Sequence, residues 1–196
     1  MTYTKQRFAS FEDYLTADIA DLPEGRHEYW DGELIKVMTE SLFNDGLANY
    51  LYFLLMQAGI FNELIRPHSC EIEVIGRPKT RFPDLTILDD VHLTLMGKNN
   101  RVTRKMPPPR VLIEVVSPGT ETSENYIRDY GDKPLQYAAI GVPEMWLIDP
   151  VREWIQVGTL INCDYQFVTF TGNDPIVSPT FPELKLTAEQ VLRAGR

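Results

Sequence analysis

The run Val111–Val116 reads VLIEVV, five aliphatic residues with a single carboxylate, Glu114, among them. A stretch of that composition belongs in the middle of a sheet, where both faces are covered and nearly every side chain is apolar. An ionised acid there costs several kcal/mol of desolvation unless a cation or several donors compensate it. Asp84 stands in a similar setting in RFPDLTIL, between Phe82 and the aliphatics Leu85, Ile87 and Leu88. Taken singly, each acid is as well explained by a strand-end arginine such as Arg81 or Arg110. Taken together they favour a cation site, because uncompensated buried charge is rare. A hard divalent ion takes one or two carboxylates and completes its shell with water and phosphate.

Other chemistries are poorly represented. There are three histidines, His27, His68 and His92, and no Ser or Cys in a nucleophile-elbow setting. G-x-S-x-G, the P-loop and G-x-G-x-x-G are absent, which weighs against acyl transfer, NTP hydrolysis and dinucleotide chemistry. Cys70 and Cys163 lie too far apart for a thiolate zinc motif and fit a reducing cytoplasm. No apolar stretch approaches the ~20 residues of a membrane span. The first residues lack the apolar segment of a secretion signal, so a cytoplasmic location is expected.

The charge balance is 19 basic against 28 acidic residues, a net −9. Proteins that grip DNA over their whole surface are usually basic, so any nucleic-acid contact here must be local. The segment 97–110, GKNNRVTRKMPPPR, is a candidate: it carries Lys98, Arg101, Arg104, Lys105 and Arg110 and no acid. A solvated basic loop is the plainer reading of the same residues.

The 196 residues suit one domain, 1–196, of the α/β (α+β) class. Ser10 followed by Asp13 resembles a capping box, with Phe11, Tyr14, Leu15 and Ile19 at helical spacing. Asp31-Gly32 between HEYW and ELIKV predicts a type I′ hairpin. Residues 42–58 read as a helix that Gly59 ends. Strands are expected near 70–75, 82–88, 111–116, 145–148, 154–160 and 165–170. Between the third and fourth of these, residues 122–140 are helical in composition but interrupted by Gly131 and Pro134. They predict two pieces, with Asp132 capping the second. Thr187 with Gln190 predicts a capping box for a last short helix.

The ordered set EDYL, HEYWDGEL, RFPDL, LIEVVSP and YGDKPLQYAAIGVPEMWLIDP resembles the Uma-type restriction-endonuclease-like family. That family, long catalogued as a domain of unknown function, falls within the PD-(D/E)XK nucleases. The likeness runs from Phe11 to about Leu192. It implies a restriction-endonuclease-like core, a central mixed sheet flanked by helices, and metal-dependent DNA endonuclease activity. It further implies that Asp84, Glu114 and the Val115 carbonyl hold Mg²⁺ or Mn²⁺, that Glu28 either approaches the metal through water or serves at the core edge of the hairpin, and that the protein is a homodimer. The wider signature places a lysine two residues after the glutamate, where this chain has Val116. The resemblance assigns that role to Lys133, on the following helix. There it should lie within about 3–5 Å of the two acids and favour their ionised forms. Tyr137, one turn on, would face the same side.

Two readings from other classes stay open on the residues alone. Val116 in place of lysine and the net charge of −9 suit a nuclease-like binding or regulatory module without activity. Asp84 and Glu114 could instead serve as the acid and base of a glycosidase, with carboxyls ~5–9 Å apart and no metal.

Overall fold

A computed structural model of the chain describes residues 7–37, 41–97 and 99–193. Helix α1 (Phe11–Thr16) starts at Ser10, whose hydroxyl accepts the Asp13 N–H at 3.1 Å. It is shorter than the apolar spacing suggests, and Ile19 opens a separate 3₁₀ turn, Ile19–Asp21. Strands β1 (His27–Trp30) and β2 (Glu33–Lys36) form the expected hairpin. Asp31 at φ 45° and Gly32 at φ 94° both occupy the left-handed region that a type I′ turn requires. Helix α2 (Leu42–Gln57) is capped by Ser41, and Gly59 at φ 93° turns the chain out of it.

Four short strands follow: β3 (Ile65–Pro67), β4 (Glu71–Glu73), β5 (Thr80–Arg81) and β6 (Leu85–Ile87). After α3 (Asp90–Leu95) come β7 (Arg101–Val102) and the central strand β8 (Val111–Val115). Helices α4 (Glu124–Ile127) and α5 (Lys133–Ala139) then cross over to β9 (Glu144–Asp149). The long hairpin β10 (Trp154–Ile161) and β11 (Asp164–Thr171) leads to α6 (Ala188–Leu192), where Thr187 and Gln190 make the reciprocal capping box. The main sheet has the order β11-β10-β9-β8-β6-β3. Only β8–β9 pairs in parallel, as a strand–helix–strand crossover requires; the other pairs are antiparallel. A smaller sheet, β5-β4-β7, packs beside it.

Strand alternation divides the core in two. Val111, Ile113 and Val115 join Trp146, Ile148 and the α2 residues Leu47, Leu51 and Leu55 on one face. Leu112 and Val116 join Met145, Leu147, Tyr137 and Ala138 on the other. Glu114 falls in the second set, beneath α5.

The α4–α5 segment departs from expectation. It does not break at Gly131, and Asp132 is not a cap: its backbone is helical, φ −63° and ψ −48°, with no side-chain capping bond. A single π-helical turn, Arg128–Asp132, joins the two helices instead, with the Lys133 N–H donating to the Arg128 carbonyl five residues back. The wider turn carries the chain past Pro134, which has no N–H to continue the α pattern.

The two cysteines report on this fold. Cys70 is buried beside β4, and burial pushes its thiol up to about 12. Cys163 is exposed in the two-residue turn between β10 and β11. A maleimide titration of the native protein is therefore expected to consume one thiol rapidly and the second only after unfolding. Two fast equivalents would contradict the placement of Cys70.

Candidate active site

The antiparallel register of β6 and β8 brings the two acids together. Leu85 faces Ile113, so one step outward Asp84 stands opposite Glu114, on the same sheet face. Both are almost fully buried, at 3% and 1% exposure. Asp84 Oδ2 accepts the Val115 N–H at 2.7 Å, which fixes the acid to the neighbouring strand. Asp84 and Glu114 line a cleft of about 390 Å³, walled also by Glu28, Lys36, Arg128 and Lys133.

Lys133 reaches this cleft from the first turn of α5. Its Nζ lies 2.7 Å from Glu114 Oε2 and 2.9 Å from Asp129 Oδ1. Tyr137, one turn further, donates its hydroxyl to Glu114 Oε1 at 2.5 Å. Val116 is buried in the apolar cluster that includes Tyr137 and Ala138, so packing fills the position from which a strand lysine would project.

Burial lifts the Glu114 carboxyl to about 7; Lys133 pulls against the rise, while Asp84 and Asp129 add to it. Lys133 thus favours the ionised form of Glu114, as expected, but desolvation outweighs this single cation. Lys133 behaves in the opposite sense. Burial would lower it, but Glu114, Asp129 and Asp84 together hold it above the ordinary lysine range, and it stays protonated.

Sequence reasoning missed Asp129 and Arg128. Burial alone would raise the Asp129 carboxyl, but Lys133 and Arg128 hold it below its usual range. Its oxygens accept the Ser117 N–H at 3.1 Å and the Arg128 guanidinium at 2.9 and 3.2 Å. The four-residue spacing of Asp129 and Lys133 was a usable signal, since such pairs meet on a helix. The expected break at Gly131 concealed it.

Glu28 lines the cleft but is already paired, its oxygens 3.2 and 3.3 Å from the Arg81 guanidinium. Arg81 is buried and also donates to Gln136 Oε1 at 2.8 Å. Val115 contributes its N–H to Asp84, and its side chain packs on the opposite face.

The cations of the basic segment 97–110 are dispersed among different roles. Arg101 is buried, donating to Glu71 at 2.5 Å and to the Leu15 carbonyl at 3.2 Å. Arg110 lies over the Phe181 ring, and Lys105 sits 3.5 Å from Glu12. Arg104 is exposed, and Lys98 lies outside the described residues. None of the segment's described residues lines the cleft; its wall cations are Lys36, Arg128 and Lys133.

The donor set fits a hard divalent cation. Each carboxylate offers about four lone-pair sites. Between them, Val115, Lys133 and Tyr137 make one bond each to Asp84 and Glu114, so acceptor capacity remains on both. Among the described residues no group of three or more His, Cys, Asp or Glu side chains is disposed around one point. An ion here would rest on two carboxylates and otherwise on backbone oxygen, water and phosphate.

The sequence model of the Uma2 family, described as "Putative restriction endonuclease", matches residues 11–189. The chain belongs to the Uma2 family. Its fold is similar to the crystal structure titled as a putative nuclease belonging to DUF820 from Anabaena variabilis. The TM-score is 0.65 at 16% identity, covering 92% of this chain and 96% of the other. A search of curated proteins finds no match. Among the described residues no helix is long and apolar enough to cross a membrane.

In this Uma2 chain Asp129 holds two cations and one backbone donor within the fold. Replacing it by alanine leaves Arg128 and Lys133 short of a partner in a buried setting. Asp129→Ala is expected to lose about 3 kcal/mol of stability in urea denaturation, the scale for breaking a buried ion pair. A loss under about 0.5 kcal/mol would place the pair at the surface scale instead.

Proposed function

We propose that the cleft hydrolyses phosphodiester bonds of DNA, with Mg²⁺ or Mn²⁺ held between Asp84 and Glu114. One observation carries this reading: Asp84, Glu114 and Lys133 converge on a single cleft from a strand end, a central strand and a helix. Membership of the Uma2 family supports the same direction. The cation supplies Lewis acidity toward the scissile phosphate and lowers the pKa of the attacking water.

The protein's own groups do the rest. Asp84, pinned at Oδ2 by the Val115 N–H, and Glu114, pinned by Lys133 and Tyr137, meet a ligand without reorganising. Lys133 stays protonated and aims a compact positive charge into the cleft, where negative charge develops on the phosphoryl oxygens. Arg128 and Lys36 on the walls offer positive charge to flanking phosphates, Arg128 with its guanidinium already held by Asp129. Glu28, held by Arg81, is a hydrogen-bond acceptor for water within the cleft. A homodimer would present two such clefts, one to each strand of a duplex.

Supercoiled plasmid incubated with Mn²⁺ or Mg²⁺ tests the reading. Wild type is expected to yield nicked and linear products, and Asp84→Ala and Glu114→Ala none. Lys133→Ala is expected to lower kcat by roughly 10²–10³, the scale of one preorganised donor, with little change in Mn²⁺ affinity. Cleavage at the wild-type rate would remove Lys133 from the mechanism. Wild type that binds Mn²⁺ and cuts no DNA would leave a nuclease-like binding module.

Two further measurements bear on the same reading. Adding Val116→Lys to Lys133→Ala is expected not to recover cleavage, because position 116 is packed beneath α5; recovery would show that the two positions are interchangeable. Light scattering at working concentration is expected to give the mass of two chains, and a single-chain mass would remove the dimer.

A further inference from the structure

His68 has no part in the scheme above, yet it lies directly behind Asp84. Its Nδ1 is 3.3 Å from Asp84 Oδ1 and its Nε2 is 3.2 Å from Asp45 Oδ1, on the first turn of α2. Both ring nitrogens are buried, and neither is aligned for a hydrogen bond at those distances. The ring is therefore wedged between two carboxylates with its bonding capacity unspent, a state that buried polar atoms rarely occupy. The backbone at His68 adds a second observation. Its φ of 50° is left-handed, uncommon for a residue with a side chain, and such strain collects at functional sites. Its N–H also donates to the Asp84 carbonyl at 2.9 Å, so ring and main chain address the same residue.

We infer that His68 is a positioning residue for Asp84. Its Nδ1–H braces Oδ1 while the Val115 N–H holds Oδ2, so the carboxylate is gripped from both sides. The brace is complete when the ring turns to bring Nδ1–H into line with Oδ1, 3.3 Å away. Asp45, itself bonded to Asn49 at 3.2 Å, backs the ring on its far side and ties the brace to α2. The role of Asp84 toward a cation is taken from the function proposed above; the brace itself stands on the contacts around Asp84. Partners that orient a metal-ligating group typically change metal affinity 10–100-fold when removed.

The test compares wild type with His68→Gly, His68→Asn and His68→Gln in the full chain. Glycine and asparagine both accept a φ near +50°, so these two differ in side chain without added backbone strain. Asparagine sets an amide nitrogen near the place of Nδ1, facing Asp84, whereas glutamine reaches the place of Nε2, facing Asp45. Two readouts are taken: the amide proton shift of Val115, which reports its bond to Asp84, and the Mn²⁺ dissociation constant by calorimetry. His68→Gly is expected to move the Val115 resonance upfield and to weaken Mn²⁺ binding roughly tenfold. His68→Asn should restore both and His68→Gln neither. An unmoved Val115 resonance in His68→Gly, or equal rescue by glutamine and asparagine, overturns the inference. Should wild type take up no Mn²⁺, the cation reading fails by itself, and the Val115 resonance still decides the role of His68.

Discussion

A carboxylate in the middle of a sheet is the constraint around which this molecule is arranged. Glu114 occupies a strand position that packing would give to valine, and burial drives its carboxyl to about 7. Lys133 and Tyr137, both on α5, supply the two bonds that answer it. The helix must therefore lie over β8 in one rotational setting, and the π turn before Lys133 is part of how the chain reaches it. Asp129 then holds the lysine from behind, so the cation is shared between two acids rather than spent on one.

The same logic extends outward from the site. Arg81, placed between Glu28 and Gln136, links the β1–β2 hairpin to α5 through a half-buried bond on one side and a buried bond on the other. Gln136 in turn donates to the carbonyls of Ile75 and Pro78, so a single polar chain connects four segments around the cleft. Such networks are high-stakes: fully satisfied they rigidify their surroundings, and broken they leave buried groups bare.

Much of this was legible in residue order. Asp31-Gly32 can hardly be other than a tight turn, and Thr187 with Gln190 announces its own helix start. Asp84, Glu114, Glu28 and Lys133 were visible because their chemistry or their place in an ordered set of motifs was out of keeping with their surroundings. What stayed hidden depends on geometry that no local pattern encodes. Proline at 134 reads as a break, yet a turn one residue wider passes it without one. The cluster of cations in 97–110 reads as an exposed charge patch, yet Arg101 is consumed by Glu71, a residue 30 positions earlier. His68 looks like any loop histidine until the acids on either side of it are placed in space.

The parallel pair of the main sheet, β8–β9, bears on the order in which the molecule can be assembled. Antiparallel neighbours such as β6 and β8 need only the chain between them to fold back, but a parallel partner waits for a whole crossover to close. Here that crossover is α4, the π turn and α5, the segment that carries Lys133. A chain that has paired β6 with β8 holds two facing acids, Asp84 bonded to the Val115 N–H and Glu114 still without Lys133 and Tyr137. Lys133 arrives only with that crossover, so a half-made molecule lacks the full set of groups at the cleft.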